Sequence, residues 1–140
     1  MSNNFEQISL KPSFMKHNGG LLFKTISESE YEFKATIKEN HLNAAGITHG
    51  GFIAAFVDAG AGTAAHRVAD QNPCVTISLE LKFISAVKLH QELVGKTKIQ
   101  KKTKSMVFLT CELTVEKKIV ATASGVWKIL KKLPGAESNV

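Results

Sequence analysis

Residues His49 to His66 read HGGFIAAFVDAGAGTAAH, and between Phe52 and Ala65 the only charged side chain is Asp58. Every other position there is apolar, glycine or threonine, so a helix over this stretch has no polar face to turn to water. A helix apolar all round is normally buried. The pattern therefore predicts a central buried helix and places Asp58 inside it, where a carboxylate needs a partner or a chemical task. Gly60 and Gly62 add to this reading. Each costs about 1 kcal/mol relative to alanine in a helix interior, so their presence predicts another backbone close by.

On the N-terminal side, Phe5, Ile8 and Leu10 suggest a short helix before Pro12, ended by Gly19-Gly20. Leu21 to Thr25 and Tyr31 to Ile37 read as two strands of a hairpin joined by the polar turn Ser27 to Glu30. The loop KENHLNAAGIT then leads into the helix. Beyond it, Arg67 to Pro73 is a turn, and Val75, Ile77, Leu79, Leu81 and Phe83 alternate with polar residues, the strongest strand signal in the chain. Leu93 to Ile99, Met106 to Val115 and Ile119 to Leu130 supply three more strands. Two strands, one long helix and four strands, without βαβ alternation, predict an α+β fold with an antiparallel sheet and a single helix on one face. To cover that helix the sheet must curl around it, or a second subunit must close it. The 140 residues are expected to form one domain, 1–140, with an N-terminal segment 1–18 and a frayed tail 134–140.

The chain carries 18 Lys and Arg against 12 Asp and Glu, a net charge of +6. Arg67 is its single arginine, and the densest basic stretch, Lys96 to Lys104, contains no aromatic residue. Nucleic-acid surfaces lean on both, which argues against such a partner. The lysines read instead as a solvated strand edge or as a rim meeting a phosphorylated small molecule. No apolar run approaches the ~20 residues that span a bilayer, so a cytoplasmic protein without a membrane partner is expected. Cys74 and Cys111 lack metal-site spacing and are expected to be packed thiols. His41, His49, Asp58 and His66 give no i, i+4 pair, so no metal is expected. His17, His41 and His90 read as loop residues.

The segment NAAGITHGGFIAAFVD, Asn43 to Asp58, resembles the signature of the PaaI-like hotdog-fold acyl-CoA thioesterases, as do the strand Val75 to Phe83 and the ending ATASGVWK, Ala121 to Lys128. The resemblance implies a hotdog fold, a curved antiparallel sheet wrapped around one long central helix. It also implies a site built from Asn43, His49, Gly50 and Asp58, with Thr76 at the family's hydroxyl position on the following strand. Coenzyme A would be part of the substrate, and no separate cofactor is implied.

The chemistry of these residue types agrees. Thioester hydrolysis builds negative charge on a carbonyl oxygen, and the first turn of a helix offers unpaired N–H groups with a partial positive charge. Gly50 N–H is the expected oxyanion donor, with Gly51 allowing close approach of substrate. Thr48 competes as an N-cap for one of these donors. Asp58 would serve as general base or nucleophile, and Asn43 would hold water or the carbonyl. His49 either hydrogen-bonds the thioester or fixes the loop. Simple alternation, however, turns Thr76 away from the core, so either a bulge near Pro73 re-aims it or its assignment to the site is wrong. Phe52, Phe56 and Phe83 are candidates for the acyl pocket, and Lys88, Lys101, Lys102 and Lys104 for the phosphates of coenzyme A. From Gly50 to Asp58 a helix rises ~12 Å, too far for one carbonyl to meet both groups of one chain. A homodimer is thus expected to be required, with a homotetramer as a dimer of dimers. Competing readings are a hotdog enoyl-CoA hydratase or dehydratase and a non-catalytic acyl-CoA-binding module.

Overall fold

The computed structural model describes residues 4–131; the expected tail 134–140 lies outside them. In chain order the elements are β1 (Glu6–Ile8), α1 (Phe14–His17), β2 (Leu21–Thr25), β3 (Glu30–Thr36), a 3-10 turn (Glu39–His41), α2 (Gly50–Val68), β4 (Cys74–Phe83), β5 (Glu92–Lys102), β6 (Met106–Val115) and β7 (Lys118–Ile129). All strands join one antiparallel sheet in the order β1-β2-β3-β5-β6-β7-β4. One face of that sheet packs on α2, and the shared core draws on the helix and on strands from β2 to β7. This is the α+β architecture expected from the order of elements.

The period-2 pattern explains the inner strands. Along β6, Val107, Leu109, Cys111, Leu113 and Val115 are buried while Phe108, Thr110 and Glu112 are exposed. Burial pushes the Cys111 thiol up to about 11, so it packs as a neutral small apolar group. On β5, Leu93, Gly95 and Thr97 face inward and Lys96 and Lys98 outward. The lysine-rich strand lies between β3 and β6 and is no sheet edge. Its lysines coat the outer face rather than guarding an open border.

Four further expectations are corrected. Residues Glu6–Ile8 form a strand paired with β2, and the helical turn comes after Pro12, where the Ser13 hydroxyl caps the Lys16 N–H at 3.2 Å. The helix α2 is not enclosed on every side: Gly51 and Asp58 are exposed, and Ala55 and Gly62 are half-buried. Of these, Gly51, Ala55 and Asp58 share one helical stripe beside β4, a flank that the described strands leave uncovered. The helix glycines meet aromatic rings, not a backbone. Phe33 of β3 fills the space at Gly60 and at Gly95 of β5, and Trp127 comes within 3.3 Å of where a Gly62 Cβ would stand. Lastly, Arg67, expected to open the turn, lies in the last turn of α2, where it pairs with Glu6 at 2.7 Å and lies over the Phe23 ring, tying the end of α2 to β1 and β2.

Phe33 is fully buried, touches Phe56 at a ring-centroid distance of 4.9 Å and is boxed between the two glycines. Alanine at 60 would gain about 1 kcal/mol in helix propensity but must displace a ring with nowhere to go. Gly60→Ala is expected to lower stability by about 1–3 kcal/mol net, read from the urea midpoint. Combined with Phe33→Leu it should cost less than the two changes summed.

Candidate active site

Four N–H groups open any α-helix without an intrahelical acceptor, and at α2 their fates can be followed one by one. His49 is the N-cap. Its backbone carbonyl accepts from Phe52 at 3.0 Å and Ile53 at 3.2 Å, and its Nδ1 accepts from Gly51 at 2.7 Å. Among the described residues, no acceptor takes the Gly50 N–H. Thr48 does not compete, because its hydroxyl donates to the Val87 carbonyl at 2.7 Å. With Nδ1 accepting, the neutral His49 ring carries its proton on Nε2. The helix start thus offers a backbone donor at Gly50, while Gly51 is spent on the cap.

Gly50 opens onto a shallow groove of about 300 Å³, lined among others by Asn43, Ile47, Ile53, Phe83 and Val87. Phe83 leans over Gly50, its ring 3.5 Å from where a Cβ would stand. Asn43 reaches the same groove from a tight loop. Its Oδ1 accepts from Ala45 N–H at 2.9 Å and Ile47 N–H at 3.3 Å, and its backbone N–H donates to Ile47 at 2.7 Å. Two backbone donors on Oδ1 fix the amide orientation. The acceptor side of Asn43 is therefore occupied, which leaves its NH₂ as the group available to a ligand.

Asp58 lies further along α2 and does not line this groove. Thr76 donates to Asp58 Oδ1 at 2.6 Å. Unbroken alternation from Val75 to Phe83 would turn Thr76 outward, and the structure shows why that reading fails. The register of β4 against β7 shifts between Thr76 and Ser78, so that Ile77 is a bulge. A bulge inserts one unpaired residue and exchanges the faces on its two sides. Thr76, opposite buried Trp127, therefore shares the helix side with Leu79 and Leu81, whereas Val75 and Ile77 are exposed.

The remaining candidates divide. Phe52 is buried and stacked on the His41 ring at 3.8 Å, and Phe56 is packed on Phe33. Both belong to the core; only Phe83, 57% exposed, remains at the mouth of the groove. Lys88 is exposed on the loop beyond Val87, while Lys101, Lys102 and Lys104 are placed around the β5–β6 hairpin at the opposite end of β4. His66 sits in the last turn of α2 with Nδ1 against the Asn72 carbonyl at 2.8 Å. His41, a loop residue by its sequence context, proves to be buried at the root of the site. No periodicity marks it, because its burial arises from two distant segments meeting there.

The fold is that of the hotdog thioesterases. The chain belongs to the thioesterase superfamily, which it matches over residues 45–122. A curated relative, "Putative esterase PA0474" of Pseudomonas aeruginosa, is 33% identical over 94 residues, covering 66% of this chain and 70% of that protein. Among solved structures, the phenylacetic acid degradation protein PaaI of Thermus thermophilus, in a mutant form, superposes with a TM-score of 0.73 at 20% identity, covering 81% of this chain and 96% of that one. A hypothetical thioesterase of Streptococcus pneumoniae, solved with coenzyme A, gives a TM-score of 0.74 at 17% identity over 91% and 97% of the two chains. These structures share the PaaI-like hotdog fold. No helix among the described residues is long and apolar enough to cross a membrane.

The cap geometry is directly testable. His49→Ala should cost about 1 kcal/mol by stranding the Gly51 N–H, while His49→Asn, which can cap the same donor, should recover most of it. Urea midpoints with unchanged slope would show this.

Proposed function

We propose that this protein is a cytoplasmic acyl-CoA thioesterase, releasing a free acid and coenzyme A from a site shared across a homodimer. The reading rests on one observation above all: among the described residues the helix start leaves the Gly50 N–H unspent, and Gly50 lines a groove that Asn43 also lines. A thioester carbonyl seated there would meet donors placed for its developing negative charge, a type of contact worth roughly 2.7–4 kcal/mol of barrier. The coenzyme A in the Streptococcus pneumoniae structure supports the same carrier here. Lys88, Lys101, Lys102 and Lys104 are the point charges proposed for its phosphates.

The acid comes from the other chain. Asp58 lies ~12 Å along the helix from Gly50, and it lies on the uncovered flank, in the stripe of Gly51 and Ala55. Small residues there allow a second α2 to approach closely. Next to this flank, β4 hydrogen-bonds among the described residues only to β7, and none of them pairs with its other edge over ten residues. An open edge that long favours pairing with another strand. Two copies meeting along β4 and α2 in opposite senses would bring Asp58 of the partner subunit towards Gly50, and two such dimers would build a tetramer from single-domain chains. Thr76 occupies one carboxylate oxygen and fixes its rotation, leaving the other oxygen for water. Asp58 then takes a proton from water as the water oxygen bonds to the carbonyl carbon, or attacks that carbon itself to give a mixed anhydride. In either case the C–S bond breaks and a thiolate leaves; a mixed anhydride is then hydrolysed by water, which frees the acid and restores the Asp58 carboxylate. A thiolate with a parent pKa of about 8.5 leaves without a general acid.

Thiol release from a panel of acyl-CoAs tests the reading. Asp58→Ala should lower it at least about 100-fold with acyl-CoA binding retained, and Asn43→Ala by a factor on the order of 100. Gly50→Pro removes the donor while keeping the helix start, since proline is tolerated at the first helical position, and its added ring meets Phe83. A heterodimer of Asp58→Ala and Gly50→Pro chains should recover one working site of its two. No recovery would place both groups in one chain, and enoyl-CoA hydration without thiol release would assign a different reaction.

A further inference from the structure

His41 is 2% exposed, the deepest histidine among the described residues, and the chemistry above makes no use of it. Its ring joins three separate pieces of chain. Nδ1 accepts the Lys38 N–H at 3.0 Å, and Nε2 contacts the Asn18 carbonyl at 2.7 Å. The ring face stacks on Phe52 in the first turn of α2, with centroids 3.8 Å apart and planes at 15°. An N–H can only donate and a carbonyl can only accept, so these neighbours select the neutral imidazole with its proton on Nε2. A proton on Nδ1 costs the Lys38 bond, and the Nδ1–H tautomer, with Nε2 bare against a carbonyl, loses both.

The backbone of His41 carries the rest of the argument. Its carbonyl accepts the His49 N–H at 2.8 Å, Leu42 and Thr48 form a β-bridge, and the Asn43 N–H donates to Ile47 at 2.7 Å. Residues 41–43 and 47–49 thus make a miniature antiparallel ladder. At one end it presents Asn43; at the other it runs through His49 into Gly50. His41 is the rung that anchors this ladder to Asn18 on one side and to α2 on the other.

We infer that His41 is a positioning residue for the reaction: held as the Nε2–H tautomer, it sets the placement of the Asn43 amide relative to the Gly50 N–H. This inference rests on the thioesterase reading. It predicts that disturbing the ring lowers turnover without weakening substrate capture, because the groups that shift are those meeting the carbonyl and the bulk of coenzyme A binds elsewhere.

The test compares His41→Gln, which can still donate to Asn18, His41→Asn, which can still accept from Lys38, and His41→Phe, which keeps only the stacking. Misplacing a reacting group by about 1 Å costs on the order of 100-fold. His41→Phe should therefore lose kcat by roughly that factor with KM changed by less than about twofold, and the two amide variants should fall between it and the native chain. In parallel, ¹H–¹⁵N spectra should show the Gly50 backbone and Asn43 side-chain amide signals moving together in each folded variant. Folded variants with native kcat and unmoved signals would overturn the inference while leaving the thioesterase reading intact. Should the native chain hydrolyse no thioester, the functional reading falls, and the spectra alone decide: joint movement supports the positioning role, and its absence refutes it. If His41→Phe does not fold, the Gln and Asn variants carry the same test.

Discussion

The hydrogen bond from Gly51 to the His49 imidazole decides how the head of α2 is used. A serine, threonine or aspartate cap would satisfy the second or third amide equally well. Here the capping group is an exposed histidine whose carbonyl also takes the next two amides, and among the described residues nothing claims the remaining donor of the turn, Gly50. An unpaired N–H at a helix head is tolerable where water or a ligand can reach it, and the groove beside Asn43 provides that access. The macrodipole of a nineteen-residue helix adds its positive end at the same point.

A second constraint follows from the way the helix is clothed. Phe33, boxed between Gly60 and Gly95, draws α2 down onto β3 and β5, and Trp127 meets Gly62 from β7. These contacts cover one side of the helix and commit its opposite flank, with Gly51, Ala55 and Asp58, to the open border next to β4. An apolar stripe carrying a carboxylate is a poor water-facing surface, and its small residues suit close packing against a like surface. The bulge at Ile77 completes the arrangement by turning Thr76 onto Asp58, so that the strand bordering the open flank also holds its acid.

Much of this was legible in the chain. The helix, the hairpin β2–β3, the four later strands and the α+β class follow from periodicity, and the HGG run with Asn43 and Asp58 marks the candidate site. What escaped was set by tertiary contact. Alternation from Val75 to Phe83 is unbroken in sequence, yet one inserted residue reverses its first half; no local pattern distinguishes a bulged strand from a regular one. The two helix glycines signalled close approach correctly, but their spacing could not say that the approaching groups were rings. Phe52 and Phe83 look alike in sequence and differ in fate, because only the structure sets His41 against the former. His41 itself is buried by Asn18 and Phe52, residues distant from it in the chain, which no window around it contains.

The central claim is that one carbonyl is held between the amide head of one helix and the aspartate of its neighbour. A crystal structure of the Asp58→Asn variant with an uncleaved acyl-CoA examines this directly. The thioester oxygen should lie about 3 Å from the Gly50 nitrogen, with the residue-58 side chain of the second subunit on the carbonyl carbon's other side. A carbonyl bound away from Gly50, or an assembly in which every neighbouring residue-58 side chain stands more than about two helical turns from it, would contradict the account.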